Sequence, residues 1–397
     1  MRGLILCNKT PFPPDDGSSV AIQRICEGLH SAGADLSMLC INTKKHFKDP
    51  ASLNPEILKK YKIQTVFRDT DIGMMGLVLN LFTGTTYFSS RFYFREFELK
   101  LLKTLQENNF DFIQLEGIFM GHYIPIIREH SKAKIVIRTH NIEHLIWERV
   151  IKGERNIVRK NYLKLQMKRL KKFEKDALQS ADAIVPITDV DKNYFVNWGV
   201  KGKFHVCPAG ISLADYPLKE GESVPASVFH FGSMDWIPNE EAVLWFVLEV
   251  WPLVLRRVPE ASFHILGRGM GNKVLELCAP GIVVHNGTVF PGEVYRKYAV
   301  MVIPLLSGSG MRIKMLEGMA YSNAIVSTSI GAEGIPVKNG VDCIIADTPE
   351  AFSGAVAELL CNPDLREKMG KASRKFVEAS FDNHKLGGEL YSFYKSL

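Results

Sequence analysis

Between Pro304 and Ala320 the chain reads Pro-Leu-Leu-Ser-Gly-Ser-Gly-Met-Arg-Ile-Lys-Met-Leu-Glu-Gly-Met-Ala, which gathers the residue types that handle a phosphate ester. Gly308, Ser309 and Gly310 let a backbone come close to a ligand, and the pattern predicts a helix that follows at once, from Met311 to about Tyr321. The unpaired amides and positive dipole end of such a helix suit a phosphate. Arg312 and Lys314 add fixed positive charge, a guanidinium fork and an ammonium that match phosphate oxygens. Glu317 lies five residues past Arg312, about 7 Å along a helix axis, where a carboxylate fits ribose hydroxyls better than a diphosphate. Without a ligand the same residues read as a glycine loop entering an amphipathic helix.

A second group of candidates lies in the first half. His140, Asn141 and Glu143 follow the apolar run Ile135 to Ile137, and Asp16, Gly17 and Ser18 follow the run Leu4 to Cys7. In both cases polar residues stand just past a predicted strand, where open parallel sheets bind ligands. The structural alternatives are a helix capped by His140 and Asn141, a first-turn Glu143 offsetting a helix dipole, and a turn-forming Asp16. The other histidines share no spacing, and none forms a metal site. No protein nucleophile and no glycosidase-type carboxylate pair stands out.

The elements that must hold these residues alternate strand, loop and helix. Predicted strands are 3–7, 112–115, 135–137 and 183–187, then 228–231, 262–266, 282–284, 300–303 and 324–327, with helices between them, among them 20–32, 239–257 and 349–361. That rhythm indicates an α/β fold of two Rossmann-like, doubly wound parallel sheets. A loop-rich stretch divides them, so the expected organisation is residues 1–205, a linker 206–225, a second domain 226–375, and one long helical pattern from Leu365, of which residues 376–397 return to the first domain.

The chain has 397 residues, 46% of them hydrophobic and 23% charged, which excludes disordered and fibrous classes. No apolar run reaches the ~20 residues of a spanning helix. The N-terminal apolar run is too short for a signal peptide, so a cytoplasmic protein starting near Met1 is expected. Seven scattered cysteines, never paired as CxxC, read as reduced.

The run Phe231-Gly-Ser-Met-Asp-Trp-Ile-Pro-Asn-Glu240, followed by Val250-Trp-Pro252, Ile265-Leu-Gly-Arg268, Glu317-Gly-Met-Ala320 and Val326 to Gly334, resembles the donor domain of retaining GT-B glycosyltransferases. The similarity is greatest to family four, the glycosyl-1-transferase type of bacterial polysaccharide assembly. The first half is similar through Pro11 to Ser19 and Arg138 to Glu143. The resemblance implies the GT-B fold and transfer of a sugar from a nucleotide-diphosphate donor, held by the second domain, to a glycan or lipid-linked acceptor, held by the first. It implies retention, no cofactor and no metal, with the leaving phosphate deprotonating the acceptor.

Residue by residue, Glu317 is similar to the family glutamate that holds the ribose, and Gly17 and Gly232 to glycines that admit the diphosphate. His140 is similar to the cleft histidine near the reacting carbon. Residues 286–289, ending at Val289, resemble the loop that holds the base through main-chain atoms. Gly308, Ser309, Gly310, Met311, Arg312 and Lys314 complete the implied donor site, and Asp16, Ser18, His140, Asn141 and Glu143 the acceptor side. The sequence departs from the family twice. Ser309 stands where members have a first glutamate, and Ser233 to Trp236 stand where many have an Arg and a Lys, which leaves Arg312 and Lys314 as substitutes. A sugar-nucleotide 2-epimerase of the same fold and a non-catalytic nucleotide-sugar binder are the alternatives.

The net charge of +6 is concentrated. Residues 152–175 carry ten bases against Glu154 and Glu174, a sum of +8, and the rest of the chain sums to −2. On helical spacing these bases form a wide positive face, read either as a solvated surface or as contact with an anionic membrane surface or a pyrophosphate-linked lipid. The aromatic stretch 72–97 is expected to join the same surface. Nucleic acid is not expected, since no such module accompanies the bases. Oligomeric state has no signature in the sequence.

Overall fold

The computed structural model describes residues 1–14, 16–71, 80, 84–218, 221, 223–287, 290–308 and 310–397. The chain forms two compact units, Met1–Gly210 with Asn383–Leu397, and Ile211–Asp382.

In the first unit, seven strands lie in the order β3-β2-β1-β4-β5-β6-β7. They are β1 (Arg2–Cys7), β2 (Asp35–Thr43), β3 (Ile63–Arg68), β4 (Phe112–Glu116), β5 (Lys134–Thr139), β6 (Ala183–Pro186) and β7 (Lys203–Phe204). Every pairing is parallel, for example Cys7 with Glu116 and Glu116 with Arg138. The central strands are buried on both faces, which is why they read as mainly apolar runs, with Gln114, Glu116 and Arg138 as buried polar exceptions. Strands β2, β3 and the two-residue β7 escape the sequence reading. β2 mixes polar residues into its run, and β3 is half-exposed at the sheet edge.

The second unit repeats the design with six strands in the order β10-β9-β8-β11-β12-β13. These are β8 (Val224–Phe231), β9 (Ser262–Gly267), β10 (Ile282–Asn286), β11 (Tyr298–Ile303), β12 (Ala324–Ser327) and β13 (Ile344–Ile345). In both sheets the chain order reverses beside the first strand, between β1 and β4 and between β8 and β11. That is the switch point at which such sheets bind ligands.

Three expectations change. The long C-terminal pattern is two helices, Pro363–Ser380 and Asn383–Lys395, broken where Asp382 bridges to Ile211. Only the second helix belongs to the first unit, where Leu386, Leu390 and Tyr394 pack into its core. The basic run is not one helix either. Lys152 ends the helix Glu143–Gly153, and the helix Ile157–Ser180 starts afresh with Asn156 accepting from the Arg159 amide at 3.0 Å. Of the aromatic stretch, Phe88, Phe92, Phe94 and Phe97 are core residues of the first unit rather than surface, with Phe88 stacked on Trp147 and Phe92 on Phe119. Ile72, Met74, Met75, Leu77, Leu81 and Phe82 of that stretch lie outside the described residues. Among the described residues no helix is long and apolar enough to cross a membrane.

Candidate functional site

The second unit carries a cationic cluster at its switch point. Past β11 the chain turns through Gly308 and Gly310, both at positive φ. The helix begins two residues later than the sequence predicts, at Ile313, because Arg312 is extended and folds its guanidinium back onto the Gly310 carbonyl at 2.8 Å. Arg312 also lies over the Trp236 ring, 5.3 Å from its centroid. A side chain on Gly308 would meet Arg312 Nη2 at 2.8 Å and the Trp236 ring at 3.2 Å.

Lys314 reaches from the first turn of the helix Ile313–Ala320 to the loop after β8. Its Nζ donates to Asn239 Oδ1 at 2.8 Å, and Asn239 in turn donates to the Ser233 carbonyl. A Cβ on Gly232 would sit 2.6 Å from Lys314 Nζ, so only glycine leaves room for the ammonium there. Burial, with Arg312 alongside, pushes the Lys314 pKa down to about 7.

Glu317 is held by two tyrosines. Tyr216 donates to Oε1 at 3.2 Å and Tyr295 to Oε2 at 3.0 Å, and Tyr321 stacks on Tyr295. Burial and the neighbouring Glu317 carboxylate raise the Tyr295 phenol well above its ordinary value, so it stays a donor. A carboxylate oxygen has more than one lone pair and can accept more than one hydrogen bond. Of the donor-side residues named from the sequence, Gly232, Gly308, Gly310, Arg312, Lys314 and Glu317 thus gather at one end of one sheet, and Met311 packs against the apolar core beside them. Ser309 and Val289 lie outside the described residues.

The first unit has a separate polar cavity of about 480 Å³ at the C-terminal ends of its strands. Asn8, Lys9, Ser18, Gly117, His140, Asn141 and Glu143 line it, with Lys45, Asp71 and Arg91 among others. Asp16 caps the helix Gly17–Ser31 by accepting from the Ser19 amide at 2.8 Å, and it binds Lys9 Nζ at 2.6 Å. Burial works to raise its pKa, but Lys9 and the Ser19 amide outweigh that and hold it well below the carboxylate range. Gly17 opens the helix with nothing near its Cα that a side chain would strike.

His140 directly follows β5, and its Nε2 lies 2.8 Å from Oε2 of Glu116, the last residue of β4. Neither His140 nor Asn141 caps the following helix. That work falls to Glu174, fully buried in the basic helix Ile157–Ser180, which accepts from the Glu143 amide at 2.9 Å and the His144 amide at 3.3 Å. One of the two acids in the basic run is therefore turned inward. Burial, with Glu174 nearby, pushes the Glu143 carboxyl up to about 7.

Sequence reading missed Glu116, Asn239, Tyr216 and Tyr295. Glu116 left one legible sign, a charge closing the apolar run 112–115. Among the described residues no three His, Cys, Asp or Glu side chains gather as a metal set.

Comparison with known proteins matches residues 16–215 to the family model Glycosyltransferase Family 4 and residues 225–362 to Glycosyl transferases group 1. An uncharacterized 44.6 kDa protein in the cps region of Klebsiella pneumoniae is 22% identical over 402 residues, 98% of each chain. Among solved structures, TarM of S. aureus superposes with a TM-score of 0.71 at 10% identity over 99% of both chains. The sucrose-phosphate synthase of Thermosynechococcus elongatus gives 0.70 at 14% over 100% of this chain and 99% of its own. HepE of Anabaena, solved with UDP and glucose, gives 0.65 at 12% over 100% of both. With two switch-point sheets and both family models matched in chain order, the chain belongs to the family 4, group 1 glycosyltransferases of GT-B fold.

Proposed function

We propose that this glycosyltransferase takes a sugar from a nucleoside-diphosphate donor held on the second unit and delivers it to a hydroxyl of a glycan or lipid-linked acceptor held on the first. The observation that carries this is the convergence of Arg312 and Lys314 on the loop after β8. Lys314 lies beside Gly232 and Arg312 over Trp236, so the two bases supply the charge that Ser233 to Trp236 lack. Breaking the bond from the anomeric carbon to the diphosphate builds negative charge on the leaving phosphate, and the Arg312 guanidinium, with Lys314 protonated as the anion arrives, stabilises it at a helix start. Glu317 takes the ribose hydroxyls, oriented by Tyr216 and Tyr295. His140 is assigned contact with the sugar. The acceptor proton passes to the leaving phosphate on the same face, which retains the anomeric configuration, and no metal ion is given a role.

The UDP complexes of HepE and the cps-region relative support a nucleotide donor and a role in cell-surface polysaccharide assembly. An acceptor of this kind is made at a membrane. The helix Ile157–Ser180 offers such a surface a stripe of Lys164, Lys168 and Lys172 beside Ile157 and Val158, which are 74% and 80% exposed.

Calorimetric titration with UDP, GDP and ADP tests the donor site. One of them is expected to bind, and Glu317→Ala to weaken it roughly 10- to 100-fold, the worth of hydrogen bonds to a charged group. Binding of none, or affinity unchanged in the variant, overturns the assignment.

A further inference from the structure

Behind His140 runs a line of buried hydrogen bonds that the reading above does not use. Tyr394, on the C-terminal helix Asn383–Lys395, donates to Gln114 Oε1 at 2.5 Å, and Gln114 Nε2 donates to Glu116 Oε1. Glu116 Oε2 receives Arg138 Nη1 at 3.3 Å and faces His140 Nε2 at 2.8 Å. Tyr394 is 4% exposed, and Gln114, Glu116 and Arg138 are at 1% or less. Parallel register puts Glu116 level with Arg138, two residues before His140.

We infer that Glu116 is the positioning residue of His140, holding its ring with the proton on Nε2 and leaving Nδ1 as an acceptor, with Tyr394 and Gln114 fixing the carboxylate in turn. A carboxylate has only lone pairs to offer, so the histidine nitrogen against it must carry the hydrogen. Burial, Arg138 and Lys9 lower the His140 pKa and outweigh the opposing pull of Glu116, so the ring is neutral at pH 7 and its tautomer matters. Although burial works to raise it, Arg138, His140 and Gln114 hold Glu116 below its ordinary value, in its ionised form. A neutral ring with a free Nδ1 accepts a hydrogen bond from a sugar or acceptor hydroxyl. It does not donate one.

The catalytic consequence rests on the assignment of His140 above, whereas the tautomer does not. Long-range proton–nitrogen NMR of the full chain labelled with [15N]histidine, with His140→Ala to assign the signal, reads the tautomer directly. The Nε2–H form is expected in the wild type, and Nδ1–H overturns the inference with no further variant needed. Glu116→Gln should give a mixture of tautomers and titrate the ring at lower pH. If that variant does not fold, Tyr394→Phe, which leaves the Arg138 pair intact, should move the same signals less. Signals unmoved in a folded Glu116→Gln protein also overturn it. In sugar transfer Glu116→Gln should lower kcat about 10- to 100-fold with donor KM unchanged. A changed tautomer with full activity would refute the role of His140 and leave the Glu116 contact standing.

Discussion

Lys314 stands where a diphosphate is expected, and its own surroundings keep its charge marginal. With its pKa down at about 7, most of these ammonium groups are unprotonated at pH 8 until an anion arrives. Donor binding at pH 8 is therefore expected to take up close to one proton, seen as a dependence of the calorimetric enthalpy on buffer ionisation, and Lys314→Met should abolish it. The sign follows: affinity falls as pH rises through 7. The Glu143 carboxyl is shifted in the other direction. Its pKa is raised from 4.5 to about 7, so the folded state binds the extra proton between those values and stability falls as pH rises across them. The loss is at most about 3 kcal/mol. Glu143→Gln should melt with the wild type at pH 4 and above it at pH 8, and equal melting at both would show that the carboxyl ionises freely. The loop Ser233 to Trp236, which departs from the family pattern, and the bases at 312 and 314 meet in space, with Arg312 over Trp236 and Lys314 beside Gly232.

Helix contacts explain glycines that no turn requires. The helices Gly17–Ser31 and Asn383–Lys395 cross with backbone on backbone, and a Cβ on Gly387 would lie 2.2 Å from the Gly28 carbonyl carbon. The contact anchors the C-terminal helix, and through Tyr394 it reaches Gln114. Gly387→Ala should destabilise the protein by about 1 to 3 kcal/mol, as overpacking does, and expose the C-terminal helix to limited proteolysis. A wild-type cleavage pattern would show that the helices part at no cost. Nothing around Gly28 or Gly387 in sequence announces this, since both sit inside helical patterns where glycine is merely unfavourable. The helix Ile157–Ser180 likewise has two sides. Leu163, Gln166, Leu170 and Glu174 face inward, while Lys164, Lys168 and Lys172 remain exposed. Several of its other bases have structural partners. Arg169 donates to the Asn80 and Thr85 carbonyls, Lys175 to that of Trp198, and Arg159 pairs with Glu154.

For the molecule as a whole, the basic run 152–175 leaves one exposed stripe, Lys164, Lys168 and Lys172, on one helix of the first unit. Reversing Lys164, Lys168 and Lys172 to Glu should abolish sedimentation with vesicles containing phosphatidylserine, and added salt should weaken wild-type binding, each base being worth about 1 kcal/mol at the surface. Failure of the wild type to sediment at low salt would refute the membrane contact. Most strands of the two sheets, and the glycine loop with its two bases before the helix Ile313–Ala320, were legible from residue order alone. Strands buried on both faces are mostly apolar, and a phosphate site must combine glycine, cations and a helix start within a few residues, so both leave local patterns. The family resemblance rested on the same local runs. What had no local pattern was every group that another element supplies: Glu116 behind His140, Glu174 beneath Glu143, Tyr216 and Tyr295 around Glu317, and Tyr394 from the chain end. Those partners are tens to hundreds of residues apart in sequence, and hydrogen bonding depends on distance in space. Only the folded chain could bring them together, and only it could separate the bases that hold the structure from those left facing water.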